Sequence, residues 1–187
     1  MRKSLSRKAT IYSIILGLLT LAATALPFQY IPNNSVTLFT AIFGTRSLQP
    51  LTFTNTIATH LTNGGVGFII VQILSWSIVA FLFSALINAV INLILLNNPH
   101  NLFLIAFRNY YAYFHIAISV IAATTITVWS LATLMIYGAE TIINFGIALS
   151  IISLLAIAQT SVSSTCLKNS NVKIEITAYN KEVATTI

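Results

Sequence analysis

The chain has 187 residues, of which 57% are hydrophobic and 6% charged, with nine Lys or Arg, three Glu and no Asp. An average soluble domain carries about 25% charged residues, and a surface this poor in charge does not keep a globular fold in solution; the mean hydropathy of +0.89 points to a bilayer. The same composition excludes a disordered chain and a coiled coil, and the single cysteine excludes a disulfide scaffold.

Arg2, Lys3, Arg7 and Lys8 precede the first apolar run, Ala9 to Leu26, which Pro27 ends. Eighteen predominantly apolar residues suffice to cross a ~30 Å hydrocarbon core as a helix. The basic flank, Ile11 to Leu21 and the small Ala23 and Ala25 would also suit a signal peptide. Pro27 just beyond disfavours that cleavage site, so the span is expected to be retained.

Residues 27–65 form the largest loop. Val36 to Phe43 and Leu51 to Ile57 are rich in Thr, Phe, Leu and Ile, and Leu51-Thr52-Phe53-Thr54 alternates with period two. With Gly44 to Pro50 as the turn, this pattern predicts a small β-hairpin on the outer membrane face. Asn33-Asn34-Ser35 is a glycosylation-type sequon at Asn33, although such a triplet also arises by chance in an Asn- and Thr-rich chain. Gly64-Gly65-Val66-Gly67 lacks the spacing and the Lys of a phosphate loop and reads as a hinge.

The second run, Val66 to Leu96, has thirty-one residues, or ~46 Å of helix, so it tilts or leaves the hydrocarbon before Asn97-Asn98-Pro99. Asn88 and Asn92 share one face near that exit. Leu102 to Phe107 is then expected as a short interfacial segment, with Tyr110, Tyr111 and Tyr113 as an aromatic belt opening the third span, 110–137. The fourth span, 141–162, follows Gly138-Ala139-Glu140 and leads into a tail, 163–187, in which Val172 to Thr177 alternates like a strand.

The net charge of +6 would suit a nucleic-acid binder, but the basic residues flank apolar runs instead of lining a groove, so no nucleic acid is expected as a partner. Placing the N-terminus inside puts eight of nine basic residues in the cytoplasm, with only Arg46 outside and Glu140 on the outer turn. The expected fold class is therefore an all-α membrane protein, a single integral domain of four transmembrane helices, N-in and C-in, in the cell membrane.

Each span carries a stripe of small or mildly polar residues. These are Ser13, Gly17, Thr20 and Thr24; Ser77, Ser84 and Asn88; His115, Ser119, Ala122, Ala123 and Thr127; and Gly146, Ser150 and Ser153. In lipid such stripes hold helices together by close packing and interhelical hydrogen bonds, so a four-helix bundle is predicted.

His115 is the one ionisable side chain well inside a span, near the cytoplasmic interface and a turn from Tyr111. A b-type haem would need a second axial His at the same depth, and His60 and His100 belong to opposite loops. A histidine bonded to Tyr111, a serine or water is the simpler reading, and neither cofactor nor metal is expected. No carboxylate pair or Ser-His-acid set is present, so no enzyme is expected. A proton-coupled carrier would normally need an acid within a helix, and Cys166 at the edge of the fourth span reads as a free thiol.

The plan resembles the claudin-like tetraspan arrangement in topology alone. The Trp-Gly-Leu-Trp run and paired cysteines that mark that family are missing from 27–65, so no family follows. The expectation is a structural or accessory subunit that meets other membrane proteins, or further copies of itself, through apolar helix faces. The alternative is a small-solute channel or carrier, with Gln72, Asn88, Asn92 and His115 as its polar path and Asn144 as a further polar group.

Overall fold

In the computed structural model, residues 2–31, 34–43, 65–99, 101–137 and 147–185 are described. Helix α1 spans Arg2–Ala23 and ends in tightened turns, where the amides of Thr24, Ala25 and Leu26 donate to the carbonyls of Leu21, Ala22 and Ala23. Such i→i−3 bonds satisfy carbonyls that an ending helix would leave bare, and Pro27, with no amide hydrogen, stops propagation.

Two short antiparallel strands follow, β1 (Pro27–Ile31) and β2 (Asn34–Thr37), with Ile31 opposite Asn34 and an irregularity between Pro27 and Gln29. Helix α2 (Leu38–Phe43) then folds back over the end of α1: the Leu38 and Phe39 amides donate to the carbonyls of Leu26 and Thr24 at 3.0 and 2.7 Å.

This arrangement corrects the expected strand over Val36 to Phe43, which is mostly helix. Thr37 caps α2, its Oγ1 accepting the Thr40 amide at 3.2 Å, while Thr40 Oγ1 donates back to the Thr37 carbonyl at 2.9 Å. Leu38 and Ile42, one turn apart, are fully buried in the core. Cap and burial together outweigh a β-propensity that only local pattern supports. The expected second strand, Leu51 to Ile57, and the sequon residue Asn33 lie outside the described residues.

Helix α3 runs Gly65–Asn97, α4 Leu102–Tyr137 and α5 Ile147–Thr185. Gly65 opens α3 at φ +76°, a backbone that glycine adopts without steric cost, which fits a hinge there. Among the described residues, three stretches are long and apolar enough to cross a membrane: Gly65–Asn97, Leu102–Ala132 and Ala148–Lys168.

Two boundaries differ from expectation. Leu102 to Phe107 is no separate segment: Asn101 Oδ1 accepts the Leu104 amide at 3.2 Å, an N-cap that starts one unbroken 36-residue helix. The alternating stretch Val172 to Thr177 is helical, within a 39-residue α5 that contains neither Gly nor Pro. Extending a formed helix requires no new nucleation, so the pattern does not break it.

The four long helices form a ring, α1 against α3 and α5, and α4 against the same two. Each neighbour is antiparallel. Ser77 and Ser84 of α3 meet Thr125 and His115 of α4, and His115 and Ala123 meet Gln159 and Ser153 of α5. The core joins Ala23, Ile78, Phe81, Leu82, Ala85, Ala122, Ile126, Ala148, Leu149, Ile152 and Ala156. Small residues let backbones approach: a Cβ built on Gly17 would meet Ala89 Cβ at 2.7 Å and the Ala85 carbonyl oxygen at 3.1 Å.

The stripe on α1 faces inward throughout, with Ser13, Gly17, Thr20 and Thr24 all buried. The α5 stripe is inward only in part. Ser153 is buried against the Ala123 carbonyl, Ser150 points outward, Gly146 lies outside the described residues, and the buried face also holds Ile152, Ala156, Gln159 and Ser163. Thr127 on α4 is likewise exposed.

Candidate functional site

Polar side chains that the four helices turn inward meet in one seam through the bundle. At its centre His115 is fully buried, with Nδ1 2.7 Å from Ser84 Oγ and Nε2 2.7 Å from Gln159 Oε1. Gln159 Nε2 lies 2.6 Å from Thr20 Oγ1 and 3.4 Å from the Leu16 carbonyl. Tyr111 donates its hydroxyl hydrogen to Ser84, 3.0 Å from Oγ and 3.2 Å from the carbonyl.

The Leu16 carbonyl sets the proton order. It can only accept, so the Gln159 amide turns its NH2 toward α1 and its oxygen toward His115. His115 Nε2–H therefore donates to Gln159, leaving Nδ1 with the lone pair that accepts the Ser84 hydroxyl hydrogen. Ser84 Oγ is then free to accept from Tyr111, and Thr20 donates to the Leu16 carbonyl at 2.8 Å. One chain of bonds thus runs Tyr111–Ser84–His115–Gln159–Thr20 and touches α4, α3, α5 and α1. The His115 ring also lies nearly parallel to Phe81 and Tyr111, with centroids 6.1 and 6.4 Å away.

A turn further along α3, Ser13 of α1 accepts from two amides: Asn88 Nδ2 at 3.0 Å and Asn92 Nδ2 at 3.1 Å. Asn92 Nδ2 is also within reach of the Asn88 carbonyl and Oδ1, at 2.8 and 3.1 Å. Asn92 Oδ1 is buried and accepts no hydrogen bond. Such an orphan acceptor is expensive in hydrocarbon and is the least satisfied point in the seam.

The residues singled out from sequence separate into three groups. Asn88, Asn92 and His115 belong to the seam. Gln72 is half-buried on α3, twelve residues or about 18 Å along the axis from Ser84, outside it. Asn33 and Asn144 lie outside the described residues, as do His60 and His100. His115 sits near the middle of the apolar stretch Leu102–Ala132, because α4 begins eight residues before the expected span.

Gln159 was not foreseen, though it bonds His115 directly. Its signal was available: Ile152, Ala156, Gln159 and Ser163 are spaced 4, 3 and 4, one helical face. Of the stripe Gly146, Ser150, Ser153, only Ser153 is on this inward side, buried against the Ala123 carbonyl, while Ser150 faces outward.

Chemically the site favours fixed bonding over reaction. Both His115 nitrogens are engaged, and among the described residues no three His, Cys, Asp or Glu side chains come together to hold a metal ion. Comparison with protein-family models, with curated proteins and with solved structures finds no match.

Proposed function

We propose that the chain is a non-enzymatic four-pass integral protein of the cell membrane, a structural or accessory subunit of a membrane assembly. The observation that carries this reading is the seam: polar side chains from α1, α3, α4 and α5 bond one another through His115, while the outward faces are apolar. Leu18, Val66, Ile73, Val128, Leu131 and Leu154 are all more than half exposed, suited to lipid or to partner helices. In this reading α1 is the fourth span, its apolar residues following Lys8.

Orientation with both termini inside is supported by the antiparallel ring. The beginnings of α1 and α4 and the ends of α3 and α5 fall at one end of the bundle, which gathers Arg7, Lys8, Arg108 and Lys168 there. Basic residues collected at one end mark the cytoplasmic side. Asn33 then belongs to the exported loop, where a glycan could be attached.

Purification in a mild detergent followed by mass analysis tests the subunit reading. A co-purifying membrane protein or a defined homo-oligomer is expected; a well-behaved monomer with no associated protein overturns it.

A second reading, a path for a small neutral solute, has one observation in its favour: the bare Asn92 Oδ1 beside Ser13 and Asn88. Gln72 stands twenty residues, about 30 Å, from Asn92 along α3, and His115 is already bonded on both sides. Flux in reconstituted vesicles that drops on Asn88→Ala and His115→Ala would favour the path over the subunit.

A further inference from the structure

At the end of the bundle where the basic residues gather, α1 and α5 leave an open groove of about 250 Å³ between them. It is lined by Lys8, Ala9 and Tyr12 of α1 and by Ser161, Val162 and Thr165 of α5. Each helix contributes positions i, i+1 and i+4, the face it turns toward the groove. The volume is several times the ~30 Å³ that one water occupies in the liquid.

We infer that this groove binds the headgroup of an anionic phospholipid from the surrounding leaflet, with Lys8 and Tyr12 donating to the phosphate. The inference rests on the membrane reading above.

Three observations converge on it. First, among the described residues no carboxylate faces the cationic side of the groove. Among the described residues Lys8 has no carboxylate partner, and the nearest acid along α5, Glu175, is ten residues or about 15 Å beyond Thr165. Arg7 and Lys168, both exposed, add to the same positive field.

Second, the donors and acceptors divide in the way a polar headgroup requires. Among the described residues the Tyr12 hydroxyl has no hydrogen-bond partner and Tyr12 is 56% exposed. It and the Lys8 ammonium are donors for phosphate oxygens. The hydroxyl hydrogens of Ser161 and Thr165 are committed to the carbonyls of Ile157 and Ser161, at 3.3 and 2.9 Å. Their oxygens therefore face the groove as acceptors, suited to the hydroxyls of a glycerol headgroup or the ammonium of a serine headgroup.

Third, the groove continues into apolar surface in the direction of the bilayer centre. Along α1 from Tyr12 come Ile15 and Leu19, 44% and 49% exposed; along α5 from Ser161 come Ile157 and Leu154, 54% and 67% exposed. A headgroup at Lys8 would lay its acyl chains along these two rows. A soluble anion would use the first two features and leave the third without purpose.

The test is native mass spectrometry of the full chain in mild detergent, titrated separately with phosphatidylglycerol, phosphatidylcholine and inorganic phosphate. Retained phosphatidylglycerol adducts are expected, reduced about fivefold by Lys8→Ala and reduced further by Lys8→Ala with Tyr12→Phe. Both variants should keep the wild-type helical circular dichroism, because neither side chain is buried.

Equal retention of phosphatidylcholine, or phosphatidylglycerol retention unchanged in both variants, overturns the proposal. Saturation by inorganic phosphate that then excludes the lipid would assign the groove to a free anion and likewise overturn it. Alkaline extraction of membranes keeps the two failures apart. A chain that stays in the pellet yet retains no anionic lipid refutes only the groove, whereas a chain released to the supernatant refutes the membrane reading.

Discussion

His115 Nε2 lies 2.7 Å from Gln159 Oε1, and this bond joins α4 to α5 through side chains 44 positions apart in sequence. Among the described residues, His115 Nε2–H and Gln159 Oε1 each bond only the other, while His115 Nδ1 is held by Ser84 and Gln159 Nε2 by Thr20 with the Leu16 carbonyl. His115 is fully buried and Gln159 is 1% exposed, so each is the other's answer to the cost of an unbonded polar group in hydrocarbon.

Gln159→Leu leaves the His115 Nε2–H without an acceptor and removes the donor that Gln159 Nε2 supplies to Thr20 Oγ1. The expected loss is about 1–2 kcal/mol, within the range for stranding one buried partner and for interhelical bonds in lipid. Thermal unfolding in detergent measures it. The double variant His115→Phe with Gln159→Leu should lose clearly less than the two single losses added together, since removing both partners strands fewer groups. Strict additivity would mean that the bond contributes nothing.

Gly17→Ala should destabilise the protein by about 1–3 kcal/mol, the usual range for overpacking. Alanine is intrinsically the better helix former by about 1 kcal/mol, so a loss of stability carries information about packing. The added methyl would sit 2.7 Å from Ala89 Cβ and force α1 away from α3. Ala89→Gly in the same chain should recover most of the loss, and a neutral Gly17→Ala would show that the helices do not approach this closely.

Ser13→Ala removes an acceptor shared by Asn88 and Asn92. Asn92 keeps the carbonyl and Oδ1 of Asn88, but the Asn88 amide loses its hydrogen bond to α1. About 1 kcal/mol of destabilisation is expected, whereas Ser13→Thr, which retains the oxygen, should stay closer to wild type if its methyl is accommodated. Unfolding midpoints of the two variants provide the comparison.

Thr37→Val deletes the cap of α2 while keeping the shape of the side chain. The effect should be about 1 kcal/mol and local: faster hydrogen exchange at the Thr40 amide, with little change in the exchange of α3 and α4. Global loss of protection would mean that α2 is a foundation of the bundle and not a cover over its end.

The features legible in advance were those governed by period and composition. The apolar run after Gly64 became α3 within a residue at each end, because a thirty-one-residue, mainly apolar run without Pro or a charged side chain has one economical solution in lipid. The inward face of α1 was legible for a similar reason, since Ser13, Gly17, Thr20 and Thr24 leave no other small face. On α5 the small and polar residues occur on more than one face, so Ser150 and Gln159 could not be ranked by spacing alone; contact with α4 and α1 ranks them.

The short elements were misread for a different reason. Val36 to Phe43 has the composition of a strand, yet Thr37 can cap a helix and Leu38 and Ile42 can plug the bundle end. A six-residue helix draws almost all its stability from what it packs on.

Twelve charges in 187 residues determined that this chain is rich in lipid-compatible helix and where its basic residues stand, since charge and hydropathy are properties of each residue by itself. Only the tertiary structure decided which polar side chains meet. A hydrogen bond between His115 and Gln159 depends on the rotation and depth of two helices, and these are set by packing against α1 and α3, which no single stretch of sequence contains.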